Sequence, residues 1–289
     1  VMIPVEAPPR SRVPDDEIEW SSRQLVELLF PGVEGLLAVL AAFFDESGQG
    51  DFFCVAGYAF EPSAAVKFGK AMRALVRERW PFHMKDVVHK KKRYAGITDE
   101  YRDRIVRGAV AAVNKYATVG VITSCDLKEI SPYLDGNHPG FRHAYSVLCH
   151  GSMVALGSWA IEQKRTDRIH YMFEKGGPNW QDANKLVGLA TICPEVDGMY
   201  RFRGHAFEPK EASAGLHAAD LLGWEWQKFI ADNFLRGERR LRGSFAQLVA
   251  PGRRILVHHL TGPRLERFCR SGPFLRCGCG EVNHLEDLS

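Results

Sequence analysis

The stretch that most limits the fold is LLAVLAAFFDESGQGDFFCVAGYAF, residues 36–60. Two apolar runs flank a short polar segment with two glycines. That pattern predicts a buried strand ending at Asp45, a tight turn, and a second strand over 51–60. Further along, Pro62 opens a segment in which Val66, Phe68, Met72, Leu75 and Val76 recur at helical spacing, predicting a helix over 62–79. Helices are expected at 99–116, 141–164 and 212–234, and strands at 117–127 and 168–177. The order strand, strand, helix, helix, strand, helix, strand, helix predicts an α/β fold, a mixed sheet flanked by helices.

With 289 residues, 45% hydrophobic and 25% charged, the chain suits one large domain or two small ones. Four prolines in residues 1–20 predict an extended arm, and SSRQLVELLF predicts a short serine-capped helix stopping before Pro31. The expected division is an N-terminal arm over 1–35, a central domain over 36–234 and a C-terminal extension over 235–289. No run of 18 apolar residues predicts a membrane span, and the first twenty residues lack a basic segment followed by an apolar one. Seven cysteines, at 54, 125, 149, 193, 269, 277 and 279, form no disulfide framework, so a reducing cytoplasmic setting with buried thiols is expected. In the tail, Cys277 and Cys279 give one C-x-C, whereas zinc ribbons need paired short spacings with more ligands. Walker loops, nucleophile elbows and dinucleotide fingerprints do not occur.

Three acids interrupt apolar elements. Asp45 closes the first strand, Glu174 closes IHYMFE, and Asp220 lies at the margin of the apolar arc formed by Leu216, Ala219, Leu222, Gly223, Trp226, Phe229 and Ile230. A carboxylate at such a margin needs a donor, a cation or water. Should the two strand ends and the helix converge, the three carboxylates repel one another, and a divalent cation such as Mg²⁺ relieves that repulsion. Two such ions can activate water and stabilise the leaving oxygen of a phosphodiester. Neighbouring strand residues point to opposite faces, so Asp45 is the expected ligand; Glu46 joins as a fourth acid only if the turn has already begun. As alternatives, Asp45 and Glu174 suit ordinary strand-to-turn exits, and Asp220 suits a structural ion pair.

FFDESG (43–48), together with GLHAADLLGWEWQK (215–228), resembles the bacterial family catalogued as domain of unknown function 3800. Members typically carry an aromatic-Asp-Glu-Ser-Gly strand end and a late helix reading Leu-Gln-x-Ala-Asp. PFHMKDV, with His83, Lys85 and Asp86, and MFEKGG, ending in the strand acid Glu174, resemble two further family stretches. Two positions depart from the pattern: His217 stands where the family has Gln, and Glu174 where Asp is common. The resemblance covers roughly 36–232 and implies a ribonuclease H-like fold, in which the first strand, a later strand end and a final helix each supply an acid. It implies that Asp45, Glu174 and Asp220 hold Mg²⁺ or Mn²⁺ for phosphodiester cleavage, in defence against foreign DNA or in its mobility.

Two basic runs, HKKKR (89–93) and RGERRLRG (236–243), suit contacts with nucleic-acid phosphates. Expected contacts are Lys85, Lys90, Lys91, Lys92 and Arg93, with His83 at a phosphate or moving a proton, His217 bordering the pocket or facing water, and Trp224 stacking on bases. Trp226 falls in the apolar arc and is expected in the core. The expected function is a metal-dependent nuclease. The alternatives are an inactive module that binds nucleic acid or a protein partner, the partner meeting the arm or the extension, and a phosphoryl-transfer enzyme acting on nucleotides or small phosphoesters.

Overall fold

The computed structural model describes residues 39–134, 142–176, 179–188, 194–235, 237, 241–264 and 266. All lie within Leu37–Ser289, the second of the two units into which the chain divides. Strands β1 (Val39–Gln49) and β2 (Phe52–Phe60) form the antiparallel hairpin, with Gly50 at φ 61° in its turn, a conformation that glycine adopts without a Cβ clash. β1 does not stop at Asp45. Its ladder continues to the turn, pairing Glu46 with Val55 and Gln49 with Phe52. β3 (Val119–Asp126) adds antiparallel to β2. On the other side of β1, β4 (Arg168–Glu174) and β5 (Phe202–Glu208) add in parallel. β6 (Ile255–Leu260) runs parallel to β3, completing a six-stranded mixed sheet in the order β5-β4-β1-β2-β3-β6. The chain is therefore α/β, with a mixed sheet flanked by helices.

Alternation along β1 assigns its two faces. Leu40, Ala42 and Phe44 join the main apolar cluster, beneath α4 (Ala144–Glu162). The helix α4 reaches a mean hydropathy of 1.2 over 18 residues, enough to pass for a membrane span, yet 78% of that window is buried within the fold. Ahead of α4, the α-helices of five residues or more are α1 (Pro62–Val76), α2 (Met84–Val88) and α3 (Asp99–Tyr116). Thr98 caps α3, accepting from the Tyr101 amide at 3.2 Å. Helices α5 (Trp180–Gly188) and α6 (Pro194–Tyr200) pack against α4. The opposite face of β1, with Ala41, Phe43 and Asp45, is covered by α7 (Ala214–Ile230), which Ser213 caps through the Gly215 amide. The approach there is close: a Cβ on Gly215 would stand 2.2 Å from the Phe43 ring.

Helices α1, α2 and α8 (Gly243–Leu248) pack on α7, and α1, α2 and α8 also touch α3. With the sheet below and helices above, α7 is buried on every side from Gly215 to Glu225. This covering was not foreseen from its single apolar arc. The boundary drawn at 234 also fails to set off a separate extension, because β6 belongs to the sheet and α8 to the layer over α7. The arm over 1–35, Cys193, the tail cysteines 269, 277 and 279, and half of the basic run at 236–243 lie outside the described residues. Cys54, Cys125 and Cys149 are free, buried thiols.

Candidate active site

The parallel register of β1 and β4 ends with Phe44 beside Phe173, whose rings stack at 5.3 Å. One residue further on each strand come Asp45 and Glu174, on the α7 face. Asp220 descends to the same place from the second turn of α7. β5 ends at Glu208, and after Pro209 a short 3₁₀ turn, Lys210–Ala212, leads into α7. Lys210 projects back under the sheet's end. Its ammonium lies 2.9 Å from Asp45 Oδ2, 3.0 Å from Glu174 Oε2 and 2.9 Å from Asp220 Oδ1. Three carboxylates from three elements therefore converge on one point, and a cation already stands at it.

The second oxygens of the two aspartates have partners of their own. Asp45 Oδ1 accepts from the Glu46 amide at 2.8 Å, and Asp220 Oδ2 from the Met84 amide at 2.5 Å. The second bond ties the first residue of α2 to α7, so HMKD is held against the site by Asp220. His83 stands beside the cluster, with Nε2 3.7 Å from Asp220 Oδ1 and Nδ1 3.9 Å from Asp86 Oδ2. Lys210 and Asp45 are nearly sealed. The Glu174 side chain, 19% exposed, and that of His83, 34% exposed, give the cluster its opening to solvent.

One ammonium does not neutralise two buried carboxylates and a third at the opening, and each desolvated ion costs several kcal/mol before its partners repay it. The two aspartates respond oppositely. Burial pushes the Asp45 carboxyl well above the usual range; Lys210 opposes this, while the Glu174 carboxyl and the charge on Asp220 reinforce it. At Asp220, burial also acts upward, but Lys210, His83 and the Met84 amide outweigh it and hold the group low. Lys210 is lowered by burial, and the surrounding carboxylates more than reverse that, keeping it protonated.

No protein-family model and no curated protein matches the chain. Among the described residues no three His, Cys, Asp or Glu side chains stand close enough to grip a metal ion as they are. The three oxygens stand 2.9–3.0 Å from the Lys210 ammonium, whereas Mg²⁺ draws its ligands to about 2.0–2.1 Å.

Several expected site residues take other places. Glu46 is not in the cluster. Because β1 persists past it, its side chain leaves on the α4 face, beside the Tyr145 hydroxyl and the Cys149 thiol, which burial pushes up and the Glu46 charge pushes further. Burial, then the nearby Glu174 charge, push Glu46 up to about 7. His217 reaches no surface. It is fully buried, donates from Nε2 to the Lys210 carbonyl at 3.1 Å, and meets the Trp80 ring at 4.1 Å. Trp224 is buried too, with the Arg242 guanidinium 4.5 Å above its ring, while Trp226, expected in the core, is the more exposed of the pair. Neither His217 nor Trp224 is placed to touch nucleic acid.

The basic run is largely spoken for. Lys90 pairs with Asp99 at 2.8 Å, Lys92 with Asp86 at 3.0 Å, and Arg93 donates to the Trp80 carbonyl. Lys85 and Lys91 are exposed and form no ion pair among the described residues. Lys210 is the site residue that the sequence reading missed. Its only signal is position, a lone lysine ten residues before Asp220 in EPKEAS, which otherwise reads as solvated loop.

Proposed function

We propose that the protein is a ribonuclease H-like enzyme that hydrolyses phosphodiester bonds of nucleic acid with Mg²⁺ or Mn²⁺. The observation that carries this reading is the convergence of Asp45, Glu174 and Asp220 on the single point occupied by the Lys210 ammonium. Their order in the chain, first strand, later strand end, last long helix, supports the ribonuclease H-like assignment, as do the stretches resembling the domain of unknown function 3800 family. The donor set fits the metal. All three ligands are hard carboxylate oxygens, the type that Mg²⁺ and Mn²⁺ prefer, and the ammonium between them is a stand-in cation. When bound, such an ion activates water and stabilises charge on the phosphate.

The chain's own residues supply the rest. Asp45, Glu174 and Asp220 provide the oxygens. The Met84 amide fixes the Asp220 carboxylate, so its orientation does not depend on the ligand. His83, half-exposed beside Asp220, is positioned to pass a proton between the site and solvent. Lys85 and Lys91 remain for the phosphate backbone. The test compares single-stranded, duplex and mononucleotide substrates with Mg²⁺ and with Mn²⁺. Cleavage of the long substrates, lost in Asp45→Asn and Asp220→Asn, supports the proposal; cleavage of mononucleotides or small phosphoesters alone points to the phosphoryl-transfer alternative.

A second reading is an inactive module in which Lys210 permanently satisfies the acids. Its support is the near-complete burial of Lys210 and Asp45, 7% and 4% exposed. Under that reading Mn²⁺ leaves the melting temperature of the wild type unchanged. Under the nuclease reading Mn²⁺ raises it, and does not in Asp45→Asn.

A further inference from the structure

We infer that Lys210 is a resident cation which a divalent metal ion must displace: the ammonium occupies the convergence point of the three carboxylates, holds them together in the unloaded protein and sets their affinity for the metal. This rests on the metal-site reading given above and goes beyond it by assigning a role to Lys210.

The first support is that the two cations compete for one place. An ammonium has three N–H donors, and Lys210 directs contacts of 2.9, 3.0 and 2.9 Å at one oxygen each of Asp45, Glu174 and Asp220. Those are the oxygens that a metal ion would draw in, and two cations cannot share one centre. The second is charge. A monovalent ammonium offsets one negative charge of the cluster, and a divalent ion in the same place offsets two. Exchange therefore relieves repulsion among the clustered carboxylates, where burial of Asp45 and Asp220 leaves it weakly screened.

The third is mechanical. Lys210 is in neither a strand nor a long helix; it opens the 3₁₀ turn between β5 and α7. Its carbonyl is fixed separately by His217 Nε2 at 3.1 Å. The unbranched side chain can thus rotate out while the backbone, and with it the start of α7, stays in place. Glu208 and Glu211, half-buried and exposed respectively, flank it in the chain and offer the departing ammonium carboxylates nearer to water. Because the oxygens are already gathered, loading requires them to contract from about 2.9 Å to about 2.1 Å rather than to assemble from separate positions.

The test uses the full chain and two readouts other than cleavage. Mn²⁺ binding is followed by the paramagnetic resonance of the free ion, for the wild type, Lys210→Met and Lys210→Gln, each checked for folding by circular dichroism. Removing the competitor is expected to tighten Mn²⁺ binding roughly tenfold or more in both variants. In parallel, the wild type is treated with an amine-acylating reagent and Lys210 is quantified by mass spectrometry. Lys210 is expected to resist acylation without metal and to react in saturating Mn²⁺. Folded variants that bind Mn²⁺ no more tightly than the wild type overturn the displacement and leave the metal site standing. Should neither variant fold, the labelling decides: protection of Lys210 unchanged by bound Mn²⁺ overturns the inference. Absence of Mn²⁺ binding in every protein overturns both the inference and the metal-site reading.

Discussion

Replacing His217 with glutamine should make the protein more tolerant of acid, by an amount that the structure sets. His217 is sealed between α7 and the Trp80 ring, and burial lowers its pKa to about 3; Asp220 works against that shift, while Lys210 and Arg73 add to it. In the unfolded chain the imidazole titrates near 6.5. A group with a depressed folded-state pKa binds fewer protons when folded, so its contribution to stability is intact above about pH 6.5 and is lost as the pH falls toward 3. At pH 5 the unfolded chain has gained about 1.5 pH units of protonation free energy that the folded chain forgoes. At 1.36 kcal/mol per unit, that is about 2 kcal/mol. Glutamine carries no titrating group and its amide can still donate to the Lys210 carbonyl. Urea unfolding at pH 7.5 and pH 5 should therefore show the wild type losing about 2 kcal/mol more than His217→Gln across the interval. Buried His150 and His170, lowered to about 3 and about 4, act in the same direction and are common to both proteins, so the difference isolates His217. Equal losses in the two proteins would refute the reasoning.

In metal-free buffer, Asp220→Asn should cost about 3 kcal/mol or more, since it breaks a buried pair with Lys210 and the bond to the Met84 amide. Asp45→Asn should cost less, because its carboxyl is already held toward the protonated form, which an amide resembles; denaturant midpoints rank the two. Gly215→Ala should destabilise by about 1–3 kcal/mol, as the new Cβ falls 2.2 Å from the Phe43 ring, and Phe43→Leu in the same chain should recover part of the loss in thermal melts. Lys85→Glu with Lys91→Glu should weaken binding of long nucleic acids, and reduce its salt dependence, without moving the melting temperature, as filter binding at several salt concentrations would report.

Local sequence was enough for much of this. The apolar hairpin, the helices at 62–76, 99–116, 144–162 and 214–230 and the strands 119–126 and 168–174 are all legible because each is strongly apolar, regularly spaced, or bounded by glycine, proline or a cap. The three acids were legible because each interrupts such an element. What the tertiary structure alone decided is everything that depends on a distant neighbour. FRGHAFE becomes β5 only because β4 offers it a parallel edge, and ILVHHL becomes β6 on the far edge of β3. Trp224 and His217 are buried because helices close over α7 from above, which the pattern of α7 itself does not encode. Lys210 is the sharpest case. In EPKEAS it looks like any solvated lysine, and it is buried only because acids 165, 36 and 10 residues away meet at its ammonium. A buried charge is stabilised by the partners that surround it, and those partners are assembled by the fold rather than by adjacent sequence.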